Sequence, residues 1–139
     1  MARESLPCLA CACASLRRTA RVVTQLYETE LQGTGLRATQ FTLLQALEQM
    51  GGAASQGALG RLLALDATTL SRSLPPLARA GWIRAAAGKD RREVRWSLTP
   101  AGRRRLAGAL PAWERAQERL RARLPAKQWR MLFEGLGPI

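Results

Sequence analysis

Hydrophobic residues recur every three or four positions along the first half of the chain, a spacing that predicts amphipathic helices. The first run predicts a helix over residues 8–32, with Pro7 placed to begin its first turn. A second helix closes at Gly51-Gly52, and two further helices follow it. The predicted N-caps of the second, third and fourth helices are Thr39, Ser55 and Asp66.

The second half of the chain changes to short runs with a different spacing. Residues 82–86 and 93–98 predict two strands, and residues 88–91 between them have the composition of a hairpin turn. Thr99-Pro100 then predicts the start of a long helix, with Thr99 as its N-cap. Apolar residues continue along this helix at near-heptad spacing, and a last short helix is expected to begin at Pro125.

Prolines interrupt two of these predicted helices. Pro75 and Pro76 lack the backbone N–H that a helix interior needs, so we expect a kink that leaves residues 67–73 regular. Pro111 is expected to kink the long helix for the same reason.

This order of elements predicts a mainly α fold with a small β-wing, a winged helix-turn-helix with long flanking dimerisation helices. The 139 residues fit a single domain, 1–139. We expect the winged core at about 36–98 and the dimerisation helices at about 8–32 and 99–139. The terminal helices carry more apolar surface than so small a core covers, which predicts an obligate homodimer.

The charge of the chain indicates an anionic partner. The formal net charge is +12 and the pI is about 11.5. Between Arg84 and Arg105 there are eight basic residues against Asp90 and Glu93, which supplies half of the net charge. Nucleic acid is the commonest partner of such a chain, and the alternative is a solvated basic face.

Several functions are disfavoured by what the sequence lacks. Without histidine there is no imidazole base, no Cys–His dyad and little zinc chemistry. Paired acids and a Gly-rich phosphate loop are absent too, so an enzyme is not expected. No apolar run approaches the roughly 20 residues of a membrane span. The apolar stretch 6–16 is short and is followed by Arg17-Arg18, so we expect a cytoplasmic protein without a signal peptide.

Specific segments resemble the multiple-antibiotic-resistance regulator (MarR) family over roughly residues 35–110. Asp90-Arg-Arg92 is followed seven residues later by Thr99-Pro-Ala-Gly102, a joint signal far more specific than either piece alone. The other matching segments are Gly35-Leu-Arg-Ala-Thr-Gln-Phe-Thr-Leu-Leu44, Leu59-Gly-Arg-Leu-Leu63, Asp66-Ala-Thr-Thr-Leu-Ser-Arg72 and Leu77-Ala-Arg-Ala-Gly-Trp-Ile83.

The resemblance implies a homodimer that binds a pseudo-palindromic double-stranded DNA operator, usually as a repressor, with no required cofactor. A small molecule, a metal ion or thiol oxidation would release it. The recognition-helix residues that would face the major groove are Thr68, Thr69, Ser71 and Arg72. In the wing, Arg92 would enter the minor groove, Lys89 and Arg91 would contact phosphates, and Asp90 would support the wing tip. Each of these residues can instead be an ordinary solvated side chain.

All three cysteines, Cys8, Cys11 and Cys13, lie within six residues of one another. One interpretation is simple packing, because free cysteine behaves as a small apolar residue. The other is a sensor, since cationic neighbours and a helix start make thiols reactive toward an oxidant or a soft metal ion. On a regular helix Cys13 points about 200° away from Cys11, so convergence needs an unwound end or the second subunit.

Two other readings stay open. The effector can be a small aromatic or anionic ligand held by Arg17, Arg21, Tyr27 and Trp113, although the two aromatic residues can equally belong to the core. The chain can also be an architectural protein that coats DNA without sequence preference, or a protein-interaction or metal-buffer module.

Overall fold

The computed structural model describes residues 6–90 and 92–135. The chain forms six helices and three strands over these residues. In chain order they are α1 (Ala12–Leu31), α2 (Ala38–Gln49), β1 (Ala53–Ser55), α3 (Gln56–Leu63), α4 (Ala67–Arg79), β2 (Ile83–Ala87), β3 (Val94–Leu98), α5 (Pro100–Arg121) and α6 (Ala126–Glu134). The expected fold class, mainly α with a small wing, is confirmed.

The strands form one antiparallel sheet in the order β1-β3-β2. β3 is central, and its Trp96 lies opposite Ala54 of β1 and Ala85 of β2. The sequence predicted the β2–β3 hairpin but not β1, because three residues are too few to show an alternating pattern. β1 ties the start of α3 directly to the wing.

The core is built from leucines of α2, α3 and α4 that pack against the sheet and the first half of α5. The fully buried large side chains are Leu31, Leu44, Leu47, Leu59, Leu70, Leu74 and Leu77. Phe41 stacks on Trp113 of α5 with ring centroids 6.1 Å apart. Burial of this size and composition is what a single small domain needs.

Polar contacts join α5 to α1. Glu30 accepts hydrogen bonds from Arg119 and from Arg115, the latter at 3.2 Å. These bonds, that with Arg119 first, lower the pKa of Glu30 below its usual value. The Tyr27 hydroxyl donates to Gln117 in the same helix pair.

The structure corrects two predicted helix starts. α1 begins at Ala12 and not at residue 8, so Pro7 and Cys8 precede the helix. Residues 6–11 are all exposed, and helices in proteins depend on a packed face more than on propensity. Arg37, not Thr39, occupies the N-cap of α2, because Gln40 reaches back to the Arg37 N–H at 2.9 Å.

Both proline-containing helices continue past their prolines, and the kinks expected there stay predictions. α4 continues to Arg79 through Pro75 and Pro76, and α5 continues to Arg121 through Pro111. In α4 the buried Leu74 and Leu77 flank the two prolines and fix the helix against the core. None of the described helices is long and apolar enough to cross a membrane.

Candidate nucleic-acid interface

α4 presents one buried face and one exposed polar face. Leu70, Leu74 and Leu77 lie in the core, as the spacing predicted. The side chains on the other face are exposed: Thr68, Thr69, Ser71 and Arg72. A helix with short hydroxyl side chains and one arginine on its free face has the chemistry to contact base edges in a major groove.

Asp66 fixes the start of this helix. Its Oδ1 accepts the backbone N–H of Thr69 at 2.7 Å. This backbone hydrogen bond is the main cause that lowers the pKa of Asp66, with a smaller contribution from the Thr69 side chain. The carboxylate therefore remains charged at the positive end of the helix dipole, where it is stabilising.

The β2–β3 hairpin supplies the second part of the interface. Lys89 and Arg92 are exposed near its tip, and Asp90 Oδ1 accepts the backbone N–H of Arg92 at 3.3 Å. This bond closes the turn from within, the position expected for a wing-supporting residue. Arg91, also predicted as a DNA contact, lies outside the described residues.

A cleft of about 780 Å3 separates α3 and α4 from the wing. Ser71, Asp90 and Arg92 line it together, so the structure brings recognition-helix and wing residues to one surface. Arg61 of α3 lines the same cleft and is exposed. Sequence reasoning missed Arg61, because it lies in a short helix outside the basic segment.

Gln56, the first residue of α3, links the two parts of the interface. Trp96 Nε1 of β3 donates to Gln56 Oε1 at 3.1 Å, and Gln56 Nε2 donates to Ser71 Oγ at 3.1 Å. Sequence reasoning missed this residue also. A hydrogen bond across 40 positions leaves no local pattern to detect.

The basic residues around the wing divide into two groups. Arg103 donates to both carboxylate oxygens of Glu48, at 2.9 and 2.8 Å. Arg105 donates to the carbonyl oxygen of Thr34 at 3.0 Å and lies over the Trp82 ring. These two arginines hold α5 against the core. The exposed cations of the sheet and hairpin, Arg84, Lys89, Arg92 and Arg95, remain to face a polyanion.

The cysteines lie at the N-terminal end of α1. Cys8 and Cys11 precede the helix and Cys13 is in its first turn, with all three thiols free and exposed. Because Cys8 and Cys11 precede the helix, the three cysteines do not lie on one regular helix. Among the described residues no group of three or more Cys, Asp or Glu side chains is placed to hold a metal ion.

The four residues expected to form one ligand pocket line two separate cavities. Tyr27 and Trp113 line a cavity of about 170 Å3 between α1, α2 and α5. Burial there raises the pKa of Tyr27. Arg17 and Arg21 line a shallow cleft of about 340 Å3 with Cys11 and Cys13. Within one protomer the two arginines are therefore neighbours of the thiols and not of the aromatic residues.

Comparison with known proteins gives one consistent result. A model of the MarR family matches residues 34–93. The M. tuberculosis transcriptional regulator MosR, solved in complex with DNA, is 35% identical, with 82% of this chain and 83% of that chain covered and a TM-score of 0.75. A probable transcriptional regulator from Pseudomonas aeruginosa is 29% identical, with coverage of 90% and 93% and a TM-score of 0.76.

A third similar structure is AbfR, solved bound to DNA in a reduced and in an overoxidized form. The reduced form is 25% identical, with 88% of this chain and 83% of that chain covered and a TM-score of 0.69. A comparison with curated proteins gives no match.

Proposed function

Because the chain belongs to the MarR family of transcriptional regulators, we propose that it binds a pseudo-palindromic operator as a homodimer and represses transcription until an effector releases it. It is thus a DNA-binding regulator and not an enzyme. The observation that carries the proposal is the cleft where the exposed face of α4 meets the basic wing. Such a surface matches a major groove and the phosphates beside it.

Each candidate residue has a role that follows from its hydrogen-bonding groups and its charge. Arg72 makes a bidentate hydrogen bond to the edge of a guanine. Thr68, Thr69 and Ser71 each make a single hydrogen bond to a base or a phosphate. Arg92 lies in the minor groove, and Lys89 and Arg91 contact phosphates. Asp90 stays off the DNA and holds the turn.

The exposed apolar surface of α6 supports the homodimer. Met131, Leu132 and Phe133 are 57%, 55% and 66% exposed, and no side chain within Ala126–Glu134 is buried. An amphipathic helix with its apolar face in water is unstable alone, and a second copy of the chain would cover it. The two α4 helices of the dimer then address half-sites about one DNA turn apart.

Single arginine substitutions test the assignments. We expect Arg72→Ala to weaken operator binding by about 1–3 kcal/mol and to relax base preference, because a bidentate base contact is lost. Arg92→Ala should weaken binding while the dimer stays folded. Arg123→Ala removes the same charge in the turn that follows α5 and should leave base preference unchanged. Unchanged affinity in both Arg72→Ala and Arg92→Ala would remove these assignments.

For the effector, the candidate that the structure favours is an oxidant acting on the N-terminal thiols. All three are exposed, and two of them share a cleft with Arg17 and Arg21, a positive setting typical of reactive cysteines. Two thiols joined to a disulfide lose two electrons and two protons, and peroxide is reduced to water. A disulfide between subunits would tie the α1 ends together and shift the spacing of the two α4 helices.

Peroxide titration tests this effector. DNA affinity of the wild type should fall with mild peroxide and recover with reductant, whereas a variant with all three cysteines replaced by serine should bind normally and ignore the treatment. If the wild type is also insensitive, the cysteines pack, and a small ligand in the Tyr27–Trp113 cavity becomes the stronger candidate.

A further inference from the structure

Trp96, Gln56 and Ser71 form a chain of hydrogen bonds that runs from the centre of the sheet to the exposed face of α4. Trp96 is buried, Gln56 is half-buried, and Ser71 is exposed. Both bonds are 3.1 Å long. This chain of hydrogen bonds therefore connects a buried core residue to a residue on the exposed face of α4.

The direction of each hydrogen bond follows from the donor inventory. An indole N–H can only donate, so the atom of Gln56 that faces Trp96 must be the amide oxygen. The amide nitrogen then points to Ser71 and can only donate to its hydroxyl oxygen. Ser71 consequently accepts one hydrogen bond within the protein and keeps its own hydrogen and one lone pair free.

We propose that the Trp96–Gln56–Ser71 chain sets the base specificity of the interface by presenting Ser71 to the major groove as a hydrogen-bond donor. This rests on the proposed DNA-binding function and deepens it. The acceptors that a donor can address are O6 and N7 of guanine, N7 of adenine and O4 of thymine. Gln56 and Trp96 act as positioning residues and touch no base.

The same reasoning predicts how the preference is reversed. Gln56→Glu keeps the size of the side chain but replaces the amide by a carboxylate, which accepts from Trp96 and from Ser71. Ser71 then donates inward and offers only lone pairs to the DNA. Its preferred partners become the amino groups of cytosine and adenine.

The experiment is selection from a library of random DNA duplexes, followed by affinity measurements on the selected sequences. Trp96→Phe keeps a buried ring without the donor, and Trp113→Phe is the matched control that removes an indole N–H elsewhere. We expect Trp96→Phe, Gln56→Ala and Ser71→Ala each to reduce the preference in affinity for the selected base. The reduction should fall at the same symmetric position of the DNA site and be about three- to tenfold. The Trp96→Phe/Ser71→Ala double variant should show no further loss at that position.

Arg61→Gln controls for charge, because it changes the net charge in the same cleft by as much as Gln56→Glu does. It should lower affinity for all sequences alike, whereas Gln56→Glu should change the base selected at one position. Thermal unfolding of each variant separates loss of structure from loss of specificity, and the exposed Ser71→Ala and half-buried Gln56→Ala variants remain informative if Trp96→Phe is unstable.

Two results would overturn the proposal: a Ser71→Ala variant with unaltered base preference, or Trp96→Phe and Gln56→Glu variants that select the wild-type sequence. Failure of the proposed function itself looks different, because wild-type protein would then select no sequence from the library.

Discussion

At the start of α5 the backbone of Gly102 lies against the carbonyl group of Trp82. A Cβ atom at this position would be 2.0 Å from the Trp82 oxygen and 2.9 Å from its carbonyl carbon. Both are backbone atoms, so no side chain can turn away to make room. Glycine is required here because α5 passes this close to the backbone of Trp82, the residue before β2.

We predict that Gly102→Ala destabilises the fold by about 1–3 kcal/mol, the usual cost of overpacking. Gly108→Ala is the matched control in the same helix, since a Cβ atom there meets nothing within 4 Å. It should stabilise α5 by about 0.5–1 kcal/mol, because alanine restricts the unfolded chain. Urea unfolding measures both, and equal effects would show that the close approach at Gly102 does not constrain the chain.

Individual cap residues show how far the sequence reaches at this scale. Ser55, Asp66 and Thr99 were predicted as N-caps, and each accepts the expected backbone N–H. Thr39 was wrong because Arg37 is the N-cap of α2: its backbone N–H donates to Gln40, and the N–H of Ala38 donates to Glu28 of α1 at 3.1 Å. A local sequence pattern identifies an N-cap residue whose own side chain accepts a backbone N–H. It misses an N-cap at which other residues supply the accepting groups.

Among the elements, α5 shows the limit of reading burial from hydrophobicity. Its apolar residues at near-heptad spacing predicted a seam; within one protomer Leu106 is buried and Leu110 is exposed, and Ala109, Ala112 and Ala116 complete the buried face. Small residues allow α5 to lie close to its neighbours, and a hydrophobicity pattern does not distinguish them from surface alanines. The helix was predictable from its spacing, but the alanines on its buried face were not.

The stability of α4 should depend on pH through Asp66. Its pKa is lowered in the folded state, so its contribution is fully present above the ordinary value of 3.8 and is lost as pH falls through the folded value. Asp66→Asn keeps a capping side chain that does not titrate. We predict that the melting temperature of the wild type, relative to this variant, falls as the pH is lowered below 3.8.

Glu30, whose pKa is also lowered, is present in both proteins, so its titration cancels in this comparison. A difference in melting temperature that stays constant over the acid range would mean that the Asp66 carboxylate adds nothing beyond a neutral cap.

For the whole molecule, the exposed face of α6 predicts assembly. We expect Phe133→Glu to dissociate the dimer, because a carboxylate would be buried in an apolar interface. Gln128→Glu adds the same charge on the same helix and should leave the dimer intact. Sedimentation velocity distinguishes the two, and a stable wild-type monomer at micromolar concentration would contradict the assembly.

The candidate DNA-binding residues could be predicted from the sequence where they lie close together along the chain. The exposed residues of α4 and the basic hairpin lie within about thirty consecutive positions, and pattern and charge indicated both. Gln56 and Arg61 entered the interface only through the packing of α3 against α4 and the wing. Within one protomer Tyr27 and Trp113 line one cavity and Arg17 and Arg21 line another, a separation that the sequence does not reveal.

The most direct test of the central claim is a competition titration at one fixed salt concentration. Wild-type protein bound to a duplex selected from random sequences is displaced with mixed-sequence DNA. A sequence-specific regulator should prefer the selected duplex by about a thousandfold or more. Equal affinity for both DNAs would mean that the net charge of +12 alone drives binding, and would contradict the account.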